Sequence, residues 1–346
     1  MNHMSNRNKV VSVWLYAMCI AIIAMIFIGG LTRLTDSGLS ITEWNPVSGI
    51  LPPLDGEQWD TEFGKYKQSP EYIKYNSGMS LEEFKSIYLL EFYHRIAGRL
   101  TSILYLLPFV LFLLAGRIKG RESKPYILAL TLLTCQGVMG WYMVKSGLSA
   151  DPHVSHYRLS AHLMLAVFLY IIMFWQLMRN SFDIMLLPSG LSIKPQKFWC
   201  ALAIILLLVQ MALGAFVAGL DAGLVYNSFP LMGDNFIPHE VSESSINIAS
   251  FSEPVFVQFM HRIFAYILFV VITIFCFSAL KLKNNKFSKS VFYIFIALFL
   301  QMLAGIITIL YIVPIPIALL HQFGAMILLS CLLWSYFLLK GTDAKD

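Results

Sequence analysis

Glu91-Phe92-Tyr93-His94-Arg95 opens one long apolar run, and Gln258-Phe259-Met260-His261-Arg262 opens another. One short pattern therefore occurs twice in a chain of 346 residues. An ionisable imidazole followed by a guanidinium is costly at the start of a hydrocarbon-spanning segment. Its recurrence points to one unit used twice.

Composition sets the class. Apolar residues make up 58% of the chain and charged residues 13%, and the mean hydropathy is +0.68, against about 25% charge in an average soluble domain. The pattern is that of a polytopic membrane protein. A net charge of +5 and a pI near 8.8 could indicate nucleic acid, but the basic residues sit in short loops beside apolar runs. They read as topology signals. The five cysteines Cys19, Cys135, Cys200, Cys276 and Cys331 lie within apolar runs, with no CxxC pattern, which argues against a disulfide framework or a zinc site.

A helix needs about 20 apolar residues to cross the hydrocarbon core. Eight runs qualify, at 10–32, 90–115, 125–145, 157–178, 198–220, 256–280, 289–312 and 315–339. Arg7 and Lys9, the group Arg117, Lys119, Arg121 and Lys124, the group Arg179, Lys194 and Lys197, and the group Lys281, Lys283, Lys286 and Lys289 all fall on one side, predicted to be the cytoplasm with both termini. The acidic loops at 33–89 and 220–255 fall outside. The first run lacks a cleavage site, so it is read as a retained span, and a bacterial cytoplasmic membrane is expected.

The two outer loops begin alike, Leu34-Thr35-Asp36-Ser37-Gly38-Leu39 beside Gly219-Leu220-Asp221-Ala222-Gly223-Leu224, and each continues to Pro, Gly and Pro (Pro46, Gly49, Pro52; Pro230, Gly233, Pro238). Spans three and seven share Gln-x-x-x-Gly, at Gln136 and Gly140 and at Gln301 and Gly305. The expected fold is all-α, two parallel-repeat four-helix bundles over residues 1–182 and 183–346, related by an axis along the membrane normal.

Four histidines, His94, His162, His261 and His321, fall on spans two, four, six and eight. Counting from the basic residue that ends each span, at about 1.5 Å per residue, puts all four about 25 to 35 Å above the inner face. Two imidazoles at one depth in each bundle can hydrogen-bond, relay protons or ligate a metal. An iron porphyrin held by an imidazole from each side is the reading that two equivalent pairs favour. Arg95 and Arg262 would then meet the carboxylates of such a group at its wet end, or snorkel to the interface. Arg99 has Tyr266 in its place in the second half. His3, His153, His156 and His239 are read as solvated.

The halves differ one turn before histidine, Glu91 against Gln258. A carboxylate there can move protons or stabilise developing positive charge, or it can simply pair at a helix start. The amide cannot do the first two. One working site and one supporting site are expected.

These features resemble the haem A synthase family over nearly the whole chain. They include Gly29-Gly30-Leu31-Thr32-Arg33-Leu34-Thr35, the Glu-x-x-His-Arg motif, and His162, His261 and His321. The resemblance implies oxidation of the C8 methyl of haem O to a formyl group by successive hydroxylations. It implies that His94 and His162 flank the substrate haem O, that Glu91 is the catalytic carboxylate, and that His261 and His321 are axial ligands of a haem B. It also implies haem O and membrane lipid as partners, with a haem O synthase (a farnesyltransferase), cytochrome oxidase assembly factors and a second copy of the chain as candidates. Some family members carry an outer-loop cysteine pair; this chain has none, so no role for one transfers. The competing readings are a di-haem b-type cytochrome taking electrons from quinol, and a transporter with a midplane site.

Overall fold

The computed structural model describes residues 8–44, 49–148, 152, 154–182, 193–243, 245 and 247–340. The expectations for His3, Arg7, Pro46 and His153 and the division at residue 183 fall outside these. The helices are α1 (Lys9–Leu34), α2 (Gly56–Tyr66), α3 (Pro70–Lys74), α4 (Leu81–Leu114), α5 (Lys124–Gly147), α6 (His156–Ser181), α7 (Lys194–Gly219), α8 (His239–Ser242), α9 (Pro254–Leu280), α10 (Asn285–Leu310) and α11 (Ile315–Lys340). Eight of them, all but α2, α3 and α8, are long and apolar enough to cross a membrane.

The second span starts earlier than hydropathy placed it. Ser80 and Glu83 form a reciprocal capping box that satisfies two free N–H groups, so α4 begins at Leu81 rather than near 90. Its 34 residues reach about 51 Å, more than the hydrocarbon core needs, and its first turns stand clear as the wall of an outer cap. There Phe84, Tyr88 and Phe92 bury against Phe63 and Tyr66 of α2 and against Ile41.

In the first four long helices, α1 packs on α4 and α6, and α5 closes the ring between them. In the second four, α7 packs on α9 and α11, and α10 closes the ring. The rings meet along α1 and α6 on one side and α7 and α11 on the other. Without a hydrophobic driving force between helices in lipid, close packing and hydrogen bonds must hold such a seam. Gln322 donates to the Ile26 carbonyl at 2.8 Å, crossing α1 where Gly30 leaves no Cβ to obstruct it. Tyr170 bonds Ser330 at 2.7 Å, and Arg33 pairs with Asp221 at 2.8 Å. Asp36 and Asp221, the aspartates of the two similar loop starts, both take left-handed backbone, φ 48° and 50°. At the far ends of α4 and α9, Gly116 and Lys283 do the same, φ 62° and 48°.

The outer cap carries a buried carboxyl, Glu71, which accepts from the Tyr66 hydroxyl at 3.1 Å. Burial, with the nearby Glu91 and Asp36 charges adding to it, pushes the Glu71 carboxyl up to about 7, against the opposing pull of the Tyr66 bond. A carboxyl raised on folding contributes stability that is fully present below its unfolded value, about 4.3, and lost as pH rises through about 7. The protection factors of the amides of residues 66–76, observed rate against intrinsic rate at each pH, are therefore expected to fall between pH 6 and 8, and Glu71→Gln to remove that fall. Equal protection factors in wild type at both pH values would contradict it.

Candidate functional site

All four predicted histidines lie on membrane helices: His94 on α4, His162 on α6, His261 on α9 and His321 on α11. Each imidazole faces a glycine on the preceding long helix. A methyl added at Gly29 would stand 3.4 Å from Nε2 of His94, and at Gly140 3.5 Å from Cε1 of His162. At Gly214 it would stand 3.2 Å from His261, and at Gly305 2.8 Å from His321. The absent side chains set where each ring can lie.

The rings of His261 and His321 stand with centres 6.4 Å apart and planes at 80°. A metal bonded to one nitrogen of each, at about 2.0–2.1 Å, needs the two nitrogens about 4 Å apart, which puts ring centres about 6 Å apart. The pair thus fits one metal atom between its members. Only a donor can approach a carbonyl, so the 3.0 Å contact of His321 Nδ1 with the Gln301 carbonyl places the proton on Nδ1 and leaves Nε2 as the ligand. A ligating histidine is commonly oriented through such a bond. Gln210 sits against His261, its amide nitrogen 3.1 Å from Nδ1 and 2.9 Å from the His261 carbonyl.

Arg262 donates to the carbonyls of Tyr226, Ser228 and Leu231 at 2.9 to 3.2 Å, and Gln258 donates to Tyr226 at 3.0 Å. These two side chains hold the second outer loop against α9. Arg262 Nε and the Tyr266 hydroxyl, one turn apart, are nevertheless buried without partners. Buried donors seldom stay unpaired, so this end of the site suits an acceptor such as the carboxylate of a porphyrin. The observed ring spacing and these free donors together fit a haem.

In the first half, Gln136 donates to the His162 carbonyl at 3.0 Å, while His162 Nδ1 and Gln136 Oε1 are buried without partners. Glu91, placed by the motif at the aqueous edge, is instead 3% exposed. Its Oε2 accepts from the Ser40 hydroxyl at 2.7 Å and the Ile41 N–H at 2.9 Å. Its Oε1 accepts from Arg95 Nε at 3.1 Å and Nη2 at 2.7 Å. Arg95 continues to the carbonyls of Ile41 and Glu43, each at 3.0 Å, and Arg99 reaches the Gly49 carbonyl at 2.5 Å. The outer segment is thereby folded down over Glu91, which removes it from water.

His156 also departs from expectation. It is buried at the start of α6, its Cβ 2.7 Å from where a Gly219 methyl would lie, with its ring edge-on to Phe216 at 5.1 Å. A helix start reads as loop when only hydropathy is counted, and Gly219 is what admits it. His239 is exposed, as expected. Ser40, Ile41 and Gly214 carry no sequence signal; Gly29 was visible only within the stretch 29–35, Tyr266 only as the counterpart of Arg99, and Gly140 and Gly305 only as part of Gln-x-x-x-Gly.

Comparison with known proteins adds the following. The sequence model of a family described as cytochrome oxidase assembly protein matches residues 12–333. A protein of Rickettsia felis named Heme A synthase is 52% identical over 334 residues, covering 96% of this chain and 99% of its own. Another of that name, from Rickettsia bellii, is 53% identical over 329 residues, covering 95% and 98%.

Proposed function

The chain belongs to the cytochrome oxidase assembly protein family, and from that premise we infer the part each half takes. It is a haem A synthase, a multi-pass membrane enzyme acting on haem O. The reaction is the conversion of the C8 methyl to a formyl group by successive hydroxylations. His94 and His162 hold the substrate haem in the half formed by residues 1–182. His261 and His321 hold a haem B in the half formed by residues 183–346, and that group supplies electron transfer when bound.

The observation that carries this reading is the facing of His261 and His321 at one-metal spacing, in a frame whose glycine, histidine and arginine positions recur in the other half while Glu91 does not. Oxidising a methyl group makes its carbon electron-poor, and a fixed negative charge in a water-poor site lowers the barrier to that. A carboxylate has about four lone-pair sites, and Ser40, Ile41 and Arg95 fill them. Glu91 is therefore suited to act as an immobile charge beside His94, with the Ser40 hydroxyl bonded to it, rather than as a mobile base. The outer cap above it excludes water, which strengthens the same field. Arg95 positions that cap; Arg262, with Tyr266, binds a carboxylate of the haem B. The di-haem cytochrome reading has no use for a carboxylate in one half only.

The basic residues at the ends of α4, α6 and α9 and the starts of α5, α7 and α10 support a cytoplasmic side for those ends and for both termini, in a bacterial inner membrane. Mass analysis of haem extracted from the purified protein tests the assignment. Haem B together with haem O or its alcohol or aldehyde is expected, and haem B alone would overturn it.

A further inference from the structure

An apolar groove of ≈ 570 Å³ runs along the outside of α1 and α4, lined by Ala21, Ala24 and Ile28 on one helix and Ala97, Thr101 and Pro108 on the other. Its upper end adjoins the first-half site, since Ile28 precedes Gly29, the seat of the His94 ring, and Ala97 lies one turn below His94. From Ala97 to Pro108 it descends about 16 Å along the helix axis.

The second half shows what this groove is for. Aligned on Gly29 with Gly214 and on His94 with His261, Ala21 corresponds to Leu206, Ala24 to Val209, Ala97 to Phe264, Thr101 to Leu268 and Pro108 to Phe275. Each of these five is exchanged for a larger apolar side chain, and Leu268 and Phe275 are buried, while Ile28 corresponds to Leu213, of equal size, and Ile103 and Leu104 to the smaller Val270 and Val271. At those five positions the two-helix seam carries bulkier side chains in the second half than in the first.

We propose that the α1–α4 groove holds the isoprenoid tail of haem O, alongside the porphyrin between His94 and His162. This rests on the reading of the first half as the haem O site. The second haem has no tail, and in its half bulkier side chains stand at the five corresponding positions. The chemistry agrees with the lining: a branched hydrocarbon chain needs a dry, apolar channel that starts at the porphyrin and opens sideways, so that the substrate enters from lipid. In lipid the tail gains nothing from leaving water, so only packing against the lining selects it. Filling the groove must then act on haem O and spare a tail-less haem.

Purified protein with its resident haem, titrated in detergent with haem O and with haem B, reads this directly from the Soret difference spectrum. Wild type is expected to take haem O into the first half in preference to haem B. Ala97→Phe, which installs the second-half residue, is expected to weaken haem O uptake about tenfold, an overpacking effect, and to leave haem B uptake unchanged. Ala24→Val, a milder filling, is expected to do the same in smaller degree and serves should Ala97→Phe not fold. Haem O preference that survives both substitutions, or is absent in wild type, overturns the groove while leaving the haem site standing. Wild type that takes up neither haem overturns the first-half site and the groove with it.

Discussion

Replacing Glu91 with Gln is expected to cut haem A formation by about 10²–10³, the size of loss seen when one preorganised electrostatic group is removed from a reacting centre, while both haem sites keep their occupants. The substitution keeps the shape of the side chain and one good acceptor for Ser40 and Ile41, but removes the charge and sets an amide N–H₂ against a donor. Because the outer segment is also held by Arg95 through the Ile41 and Glu43 carbonyls, the cap stays in place. A purely structural Glu91 would lower haem O retention and haem A formation together. An electrostatic one lowers formation alone, and mass analysis of bound haem separates the two. Haem A at the wild-type level in this variant would remove Glu91 from the mechanism. The second half shows why the amide serves there: Gln258 donates to the Tyr226 carbonyl, a bond no carboxylate can make.

His321→Ala, or His261→Ala, is expected to strip the second half of its haem, with haem B per chain falling to about a tenth or less, because one axial imidazole cannot hold the group that two hold. Gly305→Ala is the graded companion. Its methyl would stand 2.8 Å from His321 Cε1, closer than real side chains pack, so the ring must turn and strain its bond to Gln301; partial haem loss and a shifted spectrum follow. Gly140→Ala, at an ordinary 3.5 Å from His162, should change little. Haem B content by pyridine haemochrome checks the series. Full haem B in His321→Ala would refute the ligand assignment.

How far each of these sites could be read in advance follows from physics. The eight spans were legible because a helix in hydrocarbon must carry its own apolar surface on every side that meets lipid, and that requirement is written residue by residue. The four histidines stood out because polar groups in such segments are rare and costly. The Glu91 and Gln258 difference was legible as a difference, since the repeat supplied its own control.

What only the tertiary structure decided is which distant atoms meet. Glu91 sits in a helix start that hydropathy assigns to the water's edge, yet Ser40 and Ile41, some fifty residues away, fold over it and close it off. Gly29, Gly140, Gly214 and Gly305 act through the side chains they lack, on imidazoles of other helices, and a missing Cβ has no signature in composition. The α1–α4 groove likewise exists only where two sets of small residues from separate helices align. Apolar periodicity is a property of one segment against its solvent and survives in one dimension. Burial, hydrogen-bond partners and cavities belong to pairs of segments, and they become defined only when the packing brings those segments together.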